Sequence, residues 1–480
     1  MLLFFLLIII SFTNGVEIHV DGCGIGAGPT GMAWAAFYKD LGRSVLLIEK
    51  EAIYGGNCNT VNLPGGDWLD IGTAAFSNST LLKSINNVTD SFWSIDTAAF
   101  ANRFSGGLAF ALPPLGGASP PVYSANFKNG VQLNISTNPN FTAALIRLIG
   151  LVSQYPWLES ADKPSPIPAE LLLPFSTIIV NYQLEPLVDV FFPTFIFGTT
   201  DYNKTLALYA LLEVKPALYA WLTVPNAVFS IFGGCVKIYD GIADYIGRQN
   251  ILLSATIVDA DRPANNTNQS IHLQVLAGVG DQKTFYDVYC KKMLVAYPLD
   301  SKTIKPLKPD SLEKDAFKDF EFKYVGAIAA DIAGPITNTS FSLFNHNPNR
   351  PFDSPNAPCV QTIVYQLPIP GRPAFSYVAS KKFLTNEEVL DIWNSQVDGI
   401  PSNLLTSATI RVLAPHAEYQ PMITDPFVLA QPCNPFCKIH TLQGRKNTYW
   451  ASTSVVAPDS ALAWNFAYVM ANRMHNETVA

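Results

Sequence analysis

The stretch Val20-Asp-Gly-Cys-Gly-Ile-Gly26-Ala-Gly28-Pro-Thr-Gly31 decides the fold, because three spaced glycines stand where an apolar strand passes into a helix. Residues 32–41 have helical character, Gly42 ends them, and the strand Ser44-Val-Leu-Leu-Ile-Glu49 follows. Strand, glycine turn, helix, strand and acid in this order are typical of a Rossmann dinucleotide-binding unit. The additional glycines within Asp21–Ile25 weaken the first strand, and the sequence offers no physical account of them.

Each glycine of the turn has an expected task. Gly26 allows the tight turn, Gly28 lets a diphosphate approach the backbone, and Gly31 lets the helix pack closely on the strand. Together with Pro29 and Thr30 they form the start of the helix, where unpaired N–H groups and the helix dipole favour negative charge. These five residues are the first part of the expected cofactor site.

The residues after the second strand distinguish between cofactors. Glu49, followed by Lys50, is placed to accept hydrogen bonds from the adenosine ribose, and its charge disfavours NADP. The glycine pair in Gly55-Gly-Asn57 lets the backbone run along a diphosphate and ribityl chain, which favours FAD over NAD; an ordinary glycine turn is the alternative. Residues 65–72 predict a hairpin whose end, Asp70 and Gly72, lies beside the flavin.

On these motifs the chain resembles the superfamily of FAD-dependent amine oxidases and phytoene desaturases. More narrowly, it is similar to the secreted flavoproteins related to β-cyclopiazonate dehydrogenase and the polyenoic fatty acid isomerases. The resemblance extends nearly from end to end and includes residues 169–175, 237–247 and 250–262. It implies a helix and strand that return to the FAD domain, followed by a buried strand that ends near Pro298.

The resemblance implies further contacts with FAD. The backbone of Ile257 would contact adenine, and a helix starting at Pro458-Asp-Ser460 would direct its positive end at the flavin pyrimidine and stabilise the anionic reduced flavin. A plain capped surface helix is the alternative. Tyr449 and Trp450 would lie beside the flavin, unless they are packing aromatics. The sequence lacks the Ser-Gly-Gly-Cys-Tyr type of segment for covalent attachment, so noncovalent FAD is expected.

The fold class expected is α/β, with a Rossmann-type FAD-binding domain interleaved with an α+β substrate domain. Residues 16–90, 229–298 and 425–480 would form the discontinuous FAD-binding domain, and residues 91–228 and 299–424 the substrate domain. Strand-like runs in 299–424, such as Cys359–Gln366, predict an antiparallel sheet. The apolar helical stretch Leu206–Trp221 suits either a lipid-like substrate or a packed core.

The preferred hypothesis for the reaction is hydride abstraction from a carbon of a largely apolar substrate, as in an oxidase or dehydrogenase. A redox-neutral double-bond isomerase acting on polyenoic fatty acids is the second hypothesis. A noncatalytic flavoprotein with an interaction surface is the third. The six histidines form no pattern, and no catalytic acid, base or nucleophile is assigned.

The N-terminus predicts secretion. As a helix, the apolar run Met1–Phe12 would span roughly 18 Å, which is too short for the roughly 30 Å of a bilayer. With the small and polar residues that follow, it predicts a cleaved signal peptide over residues 1–15 and no stable membrane anchor; an apolar lead-in to the first strand is the alternative. Glycosylation is expected at several of the N-x-S/T sequons, which are Asn78, Asn87, Asn134, Asn140, Asn203, Asn265, Asn268, Asn338 and Asn476.

The cysteines and the net charge indicate which further sites and partners to expect. Seven cysteines in a secreted chain leave at least one unpaired, and Cys23 in the first buried strand is the candidate. Cys433-x-x-x-Cys437, near His440, favours a disulfide over a metal site, so no metal is expected. A net charge of −7 without blocks of like charge disfavours nucleic acid.

Overall fold

The computed structural model describes residues 15–80, 93–111, 121–133, 139–196, 198, 201–221, 227–264, 268–280, 282–349, 352, 355–365, 372–414, 417–456 and 459–477. The expected signal peptide, apart from Gly15, and Pro458 lie outside these residues. The strands are β1 (Val16–Ile25), β2 (Val45–Ile48), β3 (Thr60–Asn62), β4 (Trp68–Asp70), β5 (Phe76–Ser77), β6 (Ala109–Ala111), β7 (Val122–Ala125), β8 (Gln132–Leu133), β9 (Val228–Ile231), β10 (Ile251–Leu252), β11 (Thr256–Asp261), β12 (Ile271–Ala277), β13 (Thr284–Val295), β14 (Glu321–Ala333), β15 (Phe341–Asn345), β16 (Cys359–Tyr365), β17 (Ala374–Ser380), β18 (Ser407–Leu413), β19 (Ala417–Met422) and β20 (Thr448–Trp450).

The α-helices are interspersed with these strands in both halves of the chain, and the last helix follows the last strand. They are α1 (Pro29–Asp40), α2 (Thr97–Ser105), α3 (Phe141–Ser153), α4 (Phe175–Asn181), α5 (Phe191–Phe195), α6 (Ala207–Trp221), α7 (Val236–Ile246), α8 (Ser311–Phe317), α9 (Asn386–Val397), α10 (Pro426–Leu429), α11 (Pro435–Leu442) and α12 (Ser460–Asn476). Among the described residues, no helix combines the length and the apolar character needed to cross a lipid bilayer.

The first sheet has seven strands in the order β10-β2-β1-β13-β12-β11, and β20 pairs with β13 beyond the end of β12. The pairs β10–β2, β2–β1, β1–β13 and β13–β20 are parallel, whereas β11 and β12 run antiparallel. Helix α1 crosses from β1 to the parallel strand β2, as the glycine motif predicts. This confirms the Rossmann-type unit and the α/β fold class.

The glycines of β1 have a packing reason that the sequence did not reveal. A β-carbon added at Gly22 would lie 2.7 Å from the ring of Tyr38 and 2.9 Å from that of Trp34. One added at Gly24 would lie 2.7 Å from Leu47 and 3.0 Å from Trp34. Large aromatic side chains of α1 therefore lie directly on the strand, and glycine is what makes room for them.

The second sheet has eight strands in the order β18-β14-β17-β16-β15-β7-β8, and β19 pairs with the first part of β14. All of its pairs are antiparallel except β7–β15, so the antiparallel sheet expected over residues 299–424 is present. Helix α9 covers one face through Val389 and Trp393, which are buried with Val360 and Val378 of the sheet.

The cysteine prediction is partly wrong. Cys23 is bonded to Cys290 on the neighbouring strand β13, a partner 267 residues away that sequence alone could not identify. Cys433 and Cys437 form the expected disulfide. A third disulfide joins Cys58 to Cys235, and the seventh cysteine is Cys359, whose buried thiol takes part in none of the three. In the described part of the chain, no group of three or more potential metal ligands occurs.

Candidate cofactor site

The N-terminus of α1 is open where a diphosphate would bind. Gly28 is its N-cap residue, and no side chain from the described residues caps the helix there. A β-carbon added at Gly31 would lie 1.9 Å from the carbonyl oxygen of Gly26, so Gly31 is required for packing. One added at Gly28 would meet nothing nearer than the Cα of Gly56 at 3.8 Å. The backbone of Gly28, followed by Pro29 at the first turn of the helix, therefore borders free space.

The loop Gly55–Asn57 lies against this helix start. The Gly55 N–H donates to the Ala27 carbonyl at 2.8 Å, and a β-carbon at Gly56 would lie 3.0 Å from the Cα of Gly28. On its other side the Asn57 carbonyl accepts from the Thr73 N–H at 3.0 Å. The loop is thus fixed between α1 and the chain that leaves the β3–β4 hairpin.

Glu49 lies at the end of β2, buried beside the glycine turn. One carboxylate oxygen accepts from the Ala27 N–H at 2.6 Å and the other from the Glu51 N–H at 2.9 Å. Burial, the largest effect, raises the pKa of Glu49. Because each carboxylate oxygen has two lone pairs, both can still accept from a ribose hydroxyl.

The neighbours of Glu49 bring a further predicted segment to the same edge of the sheet. Its carbonyl accepts from the Ala255 N–H at 2.8 Å, and Ile257 follows two residues later in β11. Lys50 is exposed, with its ammonium 3.7 Å from the Glu418 carboxylate. Ile257 is therefore near the predicted adenosine position, whereas Lys50 faces solvent.

Asp70 ends β4 and is buried among hydrogen-bond donors of the protein itself. It accepts from the Thr60 hydroxyl at 2.6 Å and from the Cys235 N–H at 3.1 and 3.2 Å. Burial raises the pKa of Asp70 to about 6, against these hydrogen bonds, which lower it. Asp70 therefore links the hairpin to the start of α7. Gly72 follows, where a β-carbon would lie 2.0 Å from the Asn57 carbonyl oxygen.

The start of α12 contacts the segment that follows the β3–β4 hairpin. Asp459 caps the helix by accepting from the Leu462 N–H at 2.9 Å, which confirms the predicted helix start. The Ser460 hydroxyl lies 3.4 Å from the hydroxyl of Thr73. Burial raises the pKa of Asp459. Three segments far apart in sequence, at Gly26–Gly31, Gly55–Thr73 and Ser460, are therefore in contact.

Two predicted residues are not brought to this place. The Tyr449 hydroxyl donates to Glu477 at 2.5 Å, beyond the C-terminal end of α12, a helix of 17 residues and so roughly 25 Å long that has Ser460 at its other end. Trp450 packs against Phe317 of α8 with ring centroids 4.9 Å apart. Successive side chains of β20 point to opposite faces, and helices cover both, so these rings are packing residues.

Buried charges in the substrate-side helices were missed in the sequence. Glu213 of α6 forms a buried ion pair with Lys323 of β14, and Lys215 lies 3.4 Å from Glu159. Burial raises the pKa of Glu159 and lowers the pKa of Lys215. Lys163, whose pKa burial lowers to about 7, donates to the Val455 carbonyl at 2.9 Å, a few residues before α12. The sequence contained a signal for these buried pairs, because Glu213 and Lys215 are two charged residues within the otherwise apolar stretch Leu206–Trp221.

The eight-stranded sheet contacts the segment around β4 through apolar side chains. Leu69 and Ile71 of the hairpin segment are buried with Ala329 of β14 and Ala414. In the neighbouring helices, Phe175 and Phe192 are fully buried and in contact, with ring centroids 4.9 Å apart. At these described positions the apolar helical region is packed core.

Comparison with known proteins agrees with this geometry. Residues 25–91 match the family model described as an NAD(P)-binding Rossmann-like domain. The chain is 30% identical over 480 residues to the uncharacterized protein R656 of Acanthamoeba polyphaga mimivirus, covering 95% of this chain and 94% of that protein. It is 24% identical to the FAD-dependent oxidoreductase dpchF of Colletotrichum higginsianum, with coverages of 94% and 92%.

More distant relatives match the resemblance predicted from sequence. β-Cyclopiazonate dehydrogenase of Aspergillus oryzae is 20% identical, with coverages of 97% of this chain and 96% of that protein. Among solved structures, the fatty acid isomerase of P. acnes that produces CLA superposes with a TM-score of 0.66 at 16% identity, covering 95% of this chain and 98% of that chain. Because the identity to the isomerase is only 16%, this likeness shows the fold alone.

Fold and site thus define a flavoprotein with an amine oxidase-type architecture. The chain belongs to the family of FAD-dependent oxidoreductases that includes these relatives, and it is an enzyme whose cofactor is FAD. The open face of Gly28, the uncapped start of α1 and the buried Glu49 carboxylate fit such a dinucleotide.

Proposed function

We propose that FAD binds noncovalently along the three contacting segments. The chain of hydrogen bonds from Ala27 through Gly55 and Asn57 to Thr73, with Ser460 at its end, is the observation that carries this proposal. The N-terminus of α1 would hold the diphosphate, and Glu49 the adenosine ribose. The remaining members of the proposed site are Gly26, Gly28, Pro29, Thr30, Gly31, Gly56, Gly72 and the backbone of Ile257.

We also propose the domain division that this site requires. Residues 16–90, 229–298 and 425–480 would form the FAD-binding domain, and residues 91–228 and 299–424 the substrate domain. Leu69 and Ile71, which this division assigns to the FAD-binding domain, are buried with Ala329 of the substrate domain, and this apolar contact supports an interface between the two.

The proposed reaction is hydride abstraction from a carbon of a largely apolar, lipid-like substrate. FAD supplies the chemistry, because its oxidised form accepts a hydride. The chain would position the substrate beside the cofactor and exclude water from it. The packing of Leu69 and Ile71 on Ala329 and Ala414 supports an apolar environment there. The buried charges of Glu213 and Lys323 are paired with each other.

The N-terminus of α12 would contribute electrostatically. A helix start carries partial positive charge, which stabilises negative charge placed beside it. Burial raises the pKa of Asp459, which caps this helix start. The same site would serve an oxidase or dehydrogenase, and a redox-neutral isomerase is the second candidate. The fold shared with the fatty acid isomerase supports that alternative.

Secretion is part of the proposal. The chain has three disulfides, and disulfides form and persist in oxidising compartments such as the secretory pathway. Several sequon asparagines are exposed, as glycosylation would require; they are Asn140, Asn203, Asn268, Asn338 and Asn476. Asn78 is half-buried, and Asn87, Asn134 and Asn265 lie outside the described residues. When the full chain is expressed in a eukaryotic host, the protein should appear in the culture medium and lose mass when its N-glycans are removed enzymatically. Unglycosylated protein that stays in the cell would contradict this.

Anaerobic mixing with a polyunsaturated fatty acid tests the reaction. Bleaching of the flavin absorption indicates a net oxidation, and peroxide release on admitting oxygen would identify an oxidase. Formation of conjugated-diene absorbance without oxygen uptake would identify the isomerase instead. An amine and a soluble hydroxy acid serve as polar controls, and bleaching by these but by no lipid would contradict the apolar substrate.

A further inference from the structure

The cofactor loop Gly55–Asn57 is joined covalently to a distant helix. Cys58, the next residue, is bonded to Cys235, which stands at the N-cap of α7 and is 177 residues away. Gly55 and Gly56 have positive φ angles of 105° and 58°. Glycine loses more conformational freedom on ordering than other residues, so this loop needs external restraint to keep one conformation.

The point of attachment on α7 is itself firmly held. The Cys235 N–H donates to both carboxylate oxygens of Asp70, and the Val236 N–H donates to the Thr60 hydroxyl at 3.2 Å. The backbone here is tightly packed, since a β-carbon at Gly234 would lie 2.2 Å from Cγ2 of Thr60. The disulfide therefore ties the loop to a helix start that is fixed on the β3–β4 hairpin.

The position of this disulfide distinguishes it from a surface crosslink. Cys58 is 2% exposed and Cys235 is fully buried, so dissolved thiols reach the bond poorly in the folded chain. By contrast, Cys433 and Cys437 are only four positions apart in sequence, at the start of α11. A matched pair for comparison is thus present in the same molecule.

We propose that the Cys58–Cys235 disulfide is a positioning device for FAD. It holds Gly55–Asn57 against α1 before the dinucleotide arrives, so that the cost of ordering the loop is met during oxidative folding and not during binding. The inference rests on the proposed FAD site. Reduction by a dithiol would add two electrons and two protons, giving thiols at Cys58 and Cys235 and the reductant's own disulfide. FAD would then have to order the loop itself.

The test compares Cys58→Ala/Cys235→Ala with Cys433→Ala/Cys437→Ala in the full chain. Both apoproteins are titrated with FAD, and the Kd is read from quenching of flavin fluorescence, while near-ultraviolet circular dichroism measures the folded fraction. The Kd of the first variant should rise at least about tenfold, and that of the control should stay unchanged. A merely structural crosslink would lower the unfolding temperature and leave the Kd of the folded molecules unaltered, which would overturn the proposal.

A second measurement applies if the first variant does not fold. Wild-type holoprotein is treated with increasing tris(2-carboxyethyl)phosphine, new thiols are alkylated, and the reduced cysteines are mapped by mass spectrometry. FAD release should follow reduction of Cys58–Cys235 and not that of Cys433–Cys437. FAD retained by folded molecules alkylated at both Cys58 and Cys235 would overturn the proposal. Wild type that binds no FAD at all would overturn the FAD site as well, which distinguishes the two failures.

Discussion

Replacing Gly28 by aspartate should separate folding of this chain from binding of its cofactor. Gly28 is the N-cap of α1, with φ −76° and ψ −172°, an extended conformation open to any residue. A β-carbon there meets no heavy atom closer than 3.8 Å. Aspartate is a better N-cap than glycine by a few tenths of a kcal/mol. The apoprotein of Gly28→Asp should therefore be as stable as wild type or slightly more stable.

The same side chain should abolish FAD binding. Its carboxylate would occupy the N–H groups of the first turn and stand roughly 4 Å from the diphosphate. Two like charges at that separation repel by about 4 kcal/mol at an effective dielectric constant of 20. This corresponds to roughly a thousandfold weaker binding.

The assay combines the FAD content of the purified protein, the Kd of the apoprotein and its thermal unfolding. Gly28→Asn is the matched control, because it adds a cap of the same size without charge and should weaken binding less. Gly31→Ala is the opposite case: its β-carbon would lie 1.9 Å from the Gly26 carbonyl oxygen, so stability should fall by about 1–3 kcal/mol. A Gly28→Asp protein that binds FAD as wild type does would refute the reasoning.

Three further predictions concern buried polar groups. Glu49→Gln turns an acceptor into a donor that faces a backbone N–H, so the unfolding free energy in a denaturant titration should fall by about 1–3 kcal/mol; an unchanged value would contradict the hydrogen bonds described. Burial raises the pKa of Asp70 from 3.8 to about 6, so the folded chain holds this proton more tightly than the unfolded chain. Stability should therefore decrease by up to about 3 kcal/mol as the pH rises from about 4 to 6, and Asp70→Asn, followed by thermal unfolding across this range, should lack that decrease. Glu213→Leu should cost about 3–5 kcal/mol because it leaves Lys323 buried without its carboxylate, whereas adding Lys323→Met should recover most of the loss; equal losses in both variants would contradict the pairing.

The parts of the fold that depend on local chemistry could be predicted. The glycine turn, the following helix and the acid at the end of β2 each follow from residues close together in sequence, and the structure shows them in the predicted order. The β3–β4 hairpin and the capped helix at Asp459 are of the same kind, although the hairpin begins at Thr60, before the predicted residues 65–72, and has Gly65 in its turn. Backbone geometry at these points permits few residue types, so the sequence carries a strong signal.

The errors arise where a contact joins distant parts of the chain. The pairing of Cys23 with Cys290 depends on β1 and β13 being neighbours across 267 residues, which no local pattern encodes. The sequence left Tyr449 and Trp450 either beside the flavin or in the core, and only the contacts of β20 with distant segments favour the core. Glycines in β1 appeared to weaken a strand, whereas they make room for Trp34.

Hydrogen exchange of the amide protons, with and without FAD, tests the central claim most directly. The account predicts that FAD protects three separate segments together: the start of α1 after Gly26, the loop and hairpin end from Gly55 to Thr73, and the first turn of α12 after Ser460. Protection confined to the first of these segments, or located elsewhere in the chain, would contradict the account.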